Sequence, residues 1–163
     1  MTLSKGDQLP DATLSKLGAK GPESVSLASL TKGKKVVLFG LPGAFTGTCT
    51  TAHLPSFMRT SDKFRAKGVD HVVCLSVNDI FVMKAWADST GAEKAGIEML
   101  CDGMAEFTKA AGMDFTAPPV GLVNRCKRFS AYVVDGKVEI LNVEADNGVC
   151  EISAGETLLE QIG

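Results

Sequence analysis

Lys35-Val36-Val37-Leu38-Phe39-Gly40-Leu41-Pro42-Gly43-Ala44-Phe45-Thr46-Gly47-Thr48-Cys49-Thr50 is the stretch that decides the fold. Its first half, 35–41, is a continuous apolar run of strand length, which reads as a central strand buried on both faces. Pro42-Gly43 interrupts it. From near Gly47, apolar and charged residues recur at helical spacing as far as Lys67, and Gly68 supplies the stop. Cys49 therefore stands in the first turn of a helix, just beyond a buried strand. Helix N-termini offer unpaired N–H groups and the positive end of a dipole, a setting that favours a thiolate. The segment is expected to be an active site.

Working outward, residues 69–77 form a second β-rich run, and Asn78-Asp79 caps a helix with Ile80, Met83, Trp86 and Ala87 on one face. A short strand at 98–101 ends at Asp102-Gly103, and 105–111 give one or two helical turns. A flexible, proline-containing loop is expected over 115–121. Strands 128–134 and 137–143 are joined by Asp135-Gly136, a hairpin signal. Ser153-Ala154-Gly155-Glu156 reads as a capping box opening a terminal helix with Leu158, Leu159 and Ile162. Before the central strand, Pro10, Gly18, Gly21 and Pro22 suggest an extended arm with short strands, and 24–30 alternates weakly. Two βαβ units and then a hairpin imply an α/β fold, a mixed sheet with helices on both faces, over one domain spanning 1–163.

Composition narrows the function classes. The 163 residues suffice to bury a core. A formal charge of -2 gives no basic face, so nucleic acid and anionic membranes are not expected partners. No apolar run reaches bilayer length. The first residues lack the apolar stretch of a signal peptide, so the expected location is cytoplasmic, or organellar if a leader has been trimmed. Five cysteines (Cys49, Cys74, Cys101, Cys126 and Cys150) make no C-x-x-C pair. That argues against a zinc ribbon and a dithiol oxidoreductase, and neither metal nor cofactor is expected.

Pro42-Gly43-Ala44-Phe45-Thr46-Gly47-Thr48-Cys49 resembles the P-x-x-x-T-x-x-C signature of peroxiredoxins, in the form of the type II, or peroxiredoxin-5, branch. The resemblance continues through His53-Leu54-Pro55, 74–79, Phe81-Val82, Trp86, 127–130 and 142–144, nearly the whole chain. It implies a thioredoxin-like fold and reduction of hydrogen peroxide and organic hydroperoxides through Cys49, which becomes a sulfenic acid. Glutaredoxin with glutathione, or thioredoxin, would return it to the thiol, and a homodimer packed around the active-site loops is implied.

A free thiol of pKa about 8.5 is a few per cent ionised at neutral pH. Full ionisation thus gains at most roughly thirtyfold, about 2 kcal/mol. Enzymes need about 8 kcal/mol or more, so other groups must hold the peroxide and meet the charge on the departing oxygen. The resemblance assigns this to Thr46, accepting from the peroxide and donating toward sulfur, and to Arg128, a permanent cation. Pro42, lacking an N–H, shields the sulfur. Gly47 departs from the family, which places proline there; glycine is expected to ease local unwinding around Cys49.

Two cysteines are candidates for resolving an oxidised Cys49. Cys74 has the spacing of a second cysteine in many type II members but lies in an apolar strand, where a buried structural thiol is equally expected. Cys150 lies in a loop near the resolving position of animal relatives, and an external thiol is a third route. Cys101 and Cys126 are assigned to structure, with hairpin alternation placing Cys126 on the face of Arg128. His53, one turn after Cys49, is read as a pocket-wall residue. Against the enzyme stand a peroxide sensor of the same fold, relaying oxidation to a partner protein, and a Cys-His hydrolase depending on His53.

Overall fold

In a computed structural model, which describes residues 2–163, the chain opens with a hairpin of β1 (Thr13–Gly18) and β2 (Gly21–Ser26), then a short helix α1 (Leu27–Thr31). Next come β3 (Lys35–Leu41), a π-helical turn (Cys49–His53) running into α2 (Leu54–Ala66), β4 (His71–Ser76), α3 (Ile80–Thr90) and β5 (Glu98–Cys101). Helix α4 (Glu106–Ala110), a ribbon of β6 (Asp114–Ala117) and β7 (Leu122–Cys126), the hairpin β8 (Phe129–Val134) and β9 (Lys137–Val143), and α5 (Gly155–Ile162) complete it.

Seven strands form one sheet in the order β2-β1-β5-β4-β3-β8-β9. Strands β3, β4 and β5 are parallel, while β8 runs antiparallel to β3 and β1 to β5. This is the thioredoxin-like mixed sheet expected. Alternation along β3 builds two cores. Val37, Phe39 and Leu41 pack with Phe57, Phe64, Trp86 and Leu158 from α2, α3 and α5. Val36 and Leu38 pack on the other face with Leu27, Phe107 and Phe129. Burial on both faces is why β3 reads as an unbroken apolar run. The Asp135-Gly136 turn forms as expected, with both residues at positive φ (50° and 79°), the twist a two-residue hairpin requires.

Four expectations need correcting. The proline-containing segment 115–121 is not a loose loop: it closes the β6–β7 ribbon through a 3-10 turn at Pro118–Val120. The weakly alternating 24–30 stretch splits, because Ser26 accepts from Ser29 N and caps α1. The capping box does not form; Ala154 is the N-cap, Ser153 Oγ donates to Glu144, and Glu156 pairs with Arg59. Nor do Cys126 and Arg128 share a face: residues 127–128 lie between β7 and β8, which breaks the alternation, and Cys126 joins the core opposite Cys49.

Gly40 pairs with Phe129 across β3 and β8, and a Cβ there would collide with the Phe129 ring and press on Cys126 Sγ. Gly40→Ala is therefore expected to cost about 1–3 kcal/mol by overpacking, read as a lower urea midpoint with an unchanged slope.

Candidate active site

The central strand ends at Leu41, and the chain turns through 42–46 before the helix starts with the bond from Thr50 N to Thr46 O. The turn is tied down from outside. Ala44 N donates to Asn78 Oδ1 (2.9 Å) and Arg125 Nη1 donates to Pro42 O (3.0 Å). Phe45 is held at φ 64°, a left-handed conformation that non-glycine residues rarely adopt and that clusters at functional sites. Cys49 then opens one π-helical turn, its carbonyl accepting from Leu54 N. Such wide turns are also frequent at functional sites. Phe39 of β3 holds the far end of this turn, stacking on Phe57 at 4.0 Å and meeting the His53 ring edge-on at 5.2 Å.

Arg128 enters from the opposite direction in sequence. Because β8 is antiparallel to β3, its start lies beside the end of β3, with Phe129 opposite Gly40. The residue just before β8 thereby reaches the sulfur: Arg128 Nη2 stands 3.2 Å from Cys49 Sγ and donates to Asn147 O at 3.0 Å. Both side chains are shut from solvent, at 1% and 0% exposure. No ion pair among the described residues includes Arg128, and its Nε is buried without a hydrogen-bond partner.

His53 supplies the third contact. Its Nε2 lies 3.1 Å from Ser153 O, which can only accept, so Nε2 carries the proton. Its Nδ1 lies 3.0 Å from Arg128 Nη1, which can only donate, so Nδ1 is bare. The ring is neutral, its pKa lowered to about 3 by burial and by the Arg128 charge, with the Ser153 carbonyl opposing. Both nitrogens are committed elsewhere, which leaves no base for a Cys-His hydrolase.

Thr46 lies at the lip, and its hydroxyl donates to Gly43 O at 2.7 Å. The expectation that it donates toward sulfur is corrected: its one proton is spent on the turn, leaving its lone pairs to accept. Pro42 and Thr46 line a cavity of about 320 Å³ with Phe115, Ala117, Leu122 and Arg128. Among the described residues, no cluster of three or more His, Cys, Asp or Glu is arranged to hold a metal.

The other thiols divide. Cys74 is buried in the core shared with Cys49, and burial pushes its pKa well up. Cys101 and Cys126 are buried and pushed up to about 12, chiefly by desolvation. Cys150 is half-buried, raised mainly by desolvation, with Sγ 3.8 Å from Ser153 Oγ. Arg125 and Asn147 were missed by sequence reasoning. Their only signal is an arginine in the edge ribbon strand β7 and an asparagine in the irregular segment before α5, which becomes legible once both are placed.

The redoxin family model matches residues 4–159. Peroxiredoxin-2E-2, chloroplastic, from Oryza sativa subsp. japonica is 44% identical over 99% of this chain and 73% of its own. The crystal structure of reduced Prx3 in complex with H2O2 from Vibrio vulnificus superposes with a TM-score of 0.92 at 45% identity, covering 99% of this chain and 100% of that one. Peroxiredoxin 5 from Alvinella pompejana gives 0.84 at 29% identity, covering 98% and 97%. The chain belongs to the redoxin family and, within it, to the type II peroxiredoxins, which are thiol peroxidases.

A neutral, buried His53 makes stability pH-dependent. Between the unfolded value of 6.5 and the folded value of about 3, the unfolded chain binds one more proton, so stability is lost as pH falls through this window. Lowering the pH by two units from the top of that window is expected to remove on the order of 2–3 kcal/mol through this group alone. His53→Gln should lose correspondingly less than wild type when urea midpoints are compared over that range.

Proposed function

We propose that Cys49 is the nucleophile of this thiol peroxidase and that Arg128, Thr46 and Pro42 are its immediate supports. The observation that carries the reading is the guanidinium 3.2 Å from Cys49 Sγ, buried and without a carboxylate partner among the described residues. The thiolate attacks one peroxide oxygen, the O–O bond breaks, sulfur becomes a sulfenic acid, and the departing alkoxide or hydroxide takes up a proton as alcohol or water. Negative charge moves from sulfur to the leaving oxygen during this step. A fixed cation beside both positions stabilises it without reorganising. Thr46, its proton given to Gly43, accepts from the peroxide O–H, and Pro42 keeps water from the sulfur.

Hydrogen peroxide and organic hydroperoxides are both proposed substrates. The hydrogen peroxide complex belongs to the Vibrio vulnificus relative. The apolar wall of Phe115, Ala117 and Leu122 supports a substrate with a hydrocarbon tail. Cys150 is the favoured internal resolving thiol over the fully buried Cys74, condensing with the sulfenic acid to a disulfide and water. An external thiol remains the competing route, and glutaredoxin with glutathione, or thioredoxin, regenerates the enzyme. Exposed Phe45, Phe81, Val120 and Val123 support a homodimer. Location is proposed as cytoplasmic or organellar; the rice relative's name says chloroplastic.

Purified protein with glutaredoxin and glutathione, or with thioredoxin, is expected to consume peroxide catalytically, and Cys49→Ser to reduce this to background. Wild type that turns over no faster than Cys49→Ser would leave the sensor reading standing. Gly47 occupies the first helical position, and a Cβ there meets open space. Gly47→Pro is expected to raise stability by about 0.4–1 kcal/mol and to slow disulfide formation. An unchanged peroxide rate with an unchanged resolution rate would remove any catalytic role for the glycine.

A further inference from the structure

Glu144 and His53 are buried, and among the described residues neither side chain bonds directly to Cys49, yet a continuous series of contacts joins both to its sulfur. Glu144 Oε2 accepts from Glu151 N (2.8 Å), Ser153 N (2.8 Å) and Ser153 Oγ (2.7 Å). Ser153 O accepts from His53 Nε2, His53 Nδ1 accepts from Arg128 Nη1, and Arg128 Nη2 meets Cys49 Sγ. The same segment returns at Asn147 O, which accepts from Arg128 Nη2, and at Gly148 O, which accepts from Thr48 Oγ1 at 2.7 Å. Cys150 lies between these two anchorages.

We propose that Glu144 and His53 are positioning residues: they aim Arg128 at the sulfur only while segment 144–153 is seated, so the movement that frees Cys150 also withdraws the arginine. This rests on the reading of Cys49 as nucleophile. A disulfide needs Cα atoms within roughly 7 Å and a specific dihedral, and Cys49 is fully enclosed. Carrying Cys150 to it pulls on Asn147 and Ser153 together. One carries a guanidinium partner and the other the partner of His53.

The test is single-turnover oxidation of Cys49 by hydrogen peroxide, followed by Trp86 fluorescence, since its indole donates to Thr50 in the turn beside Cys49. Glu144→Ala and His53→Leu are each expected to slow oxidation by about tenfold to about a hundredfold, the loss of one hydrogen bond to a charged group. Glu144→Gln and His53→Gln, which keep an acceptor oxygen, should recover most of it. The double variant Glu144→Ala/His53→Leu should be no slower than the slower single, because both act through one chain. Iodoacetamide mapping should show Cys150 exposed in Glu144→Ala while Cys74, Cys101 and Cys126 stay protected, which separates release of the segment from loss of the fold. If Glu144→Ala does not fold, His53→Leu against His53→Gln carries the same comparison. Unchanged oxidation in the single variants, or losses that multiply in the double, overturns the proposal. A wild-type Cys49 that hydrogen peroxide does not oxidise fails the nucleophile reading instead.

Discussion

The guanidinium of Arg128 is a permanent charge taken out of water, and much of the surrounding structure answers that one constraint. Burying an ion of this size costs several kcal/mol unless its donors are satisfied. Here a backbone carbonyl, a neutral imidazole and the Cys49 sulfur share two of its three nitrogens, and no carboxylate among the described residues pairs with it. The site is therefore short of negative charge by construction. In the proposed reaction, charge on sulfur, and then on the departing oxygen, supplies what the arginine lacks, and a low-dielectric surround makes its field count for more than in water.

The topology explains how the two groups meet. In open α/β sheets, the space beyond the carboxyl ends of the parallel strands is left free by the connections, and the 42–49 turn lies there. One antiparallel neighbour, β8, brings its beginning to the same place, so a residue 79 positions away in sequence arrives beside Cys49. The stack of Phe39 on Phe57 locks the helix to the strand and sets the height of His53 above the sheet. A site held on rigid elements in this way loses little entropy when substrate enters.

The remaining thiols show why cysteine number says little about redox role. Cys74, Cys101 and Cys126 lie in the cores, where desolvation disfavours the thiolate and so suppresses reactivity. Cys150 alone among them is partly exposed, on a segment whose hydrogen bonds reach the arginine.

The order of strands and helices from β3 to β5, the buried central strand and the Asp135-Gly136 turn were legible from the sequence. Each rests on local chemistry: apolar runs, glycine stops and positive-φ turn residues. The peroxidase motif was legible too, because Pro42, Thr46 and Cys49 lie within one turn and its flanking helix. The capping box misled, because Ser153 has a stronger claim on its hydroxyl in the buried Glu144 carboxylate than in its own helix. No local signal marked Arg125 or Asn147, nor the tautomer of His53, because each takes its role from a partner distant in the chain. Sequence by itself determined the strands and helices of the central sheet, though not α1 or the β6–β7 ribbon, and which cysteine stands at a helix start. Only the tertiary structure decided what the arginine touches, since a buried charge takes its partners from wherever the fold brings acceptors within reach.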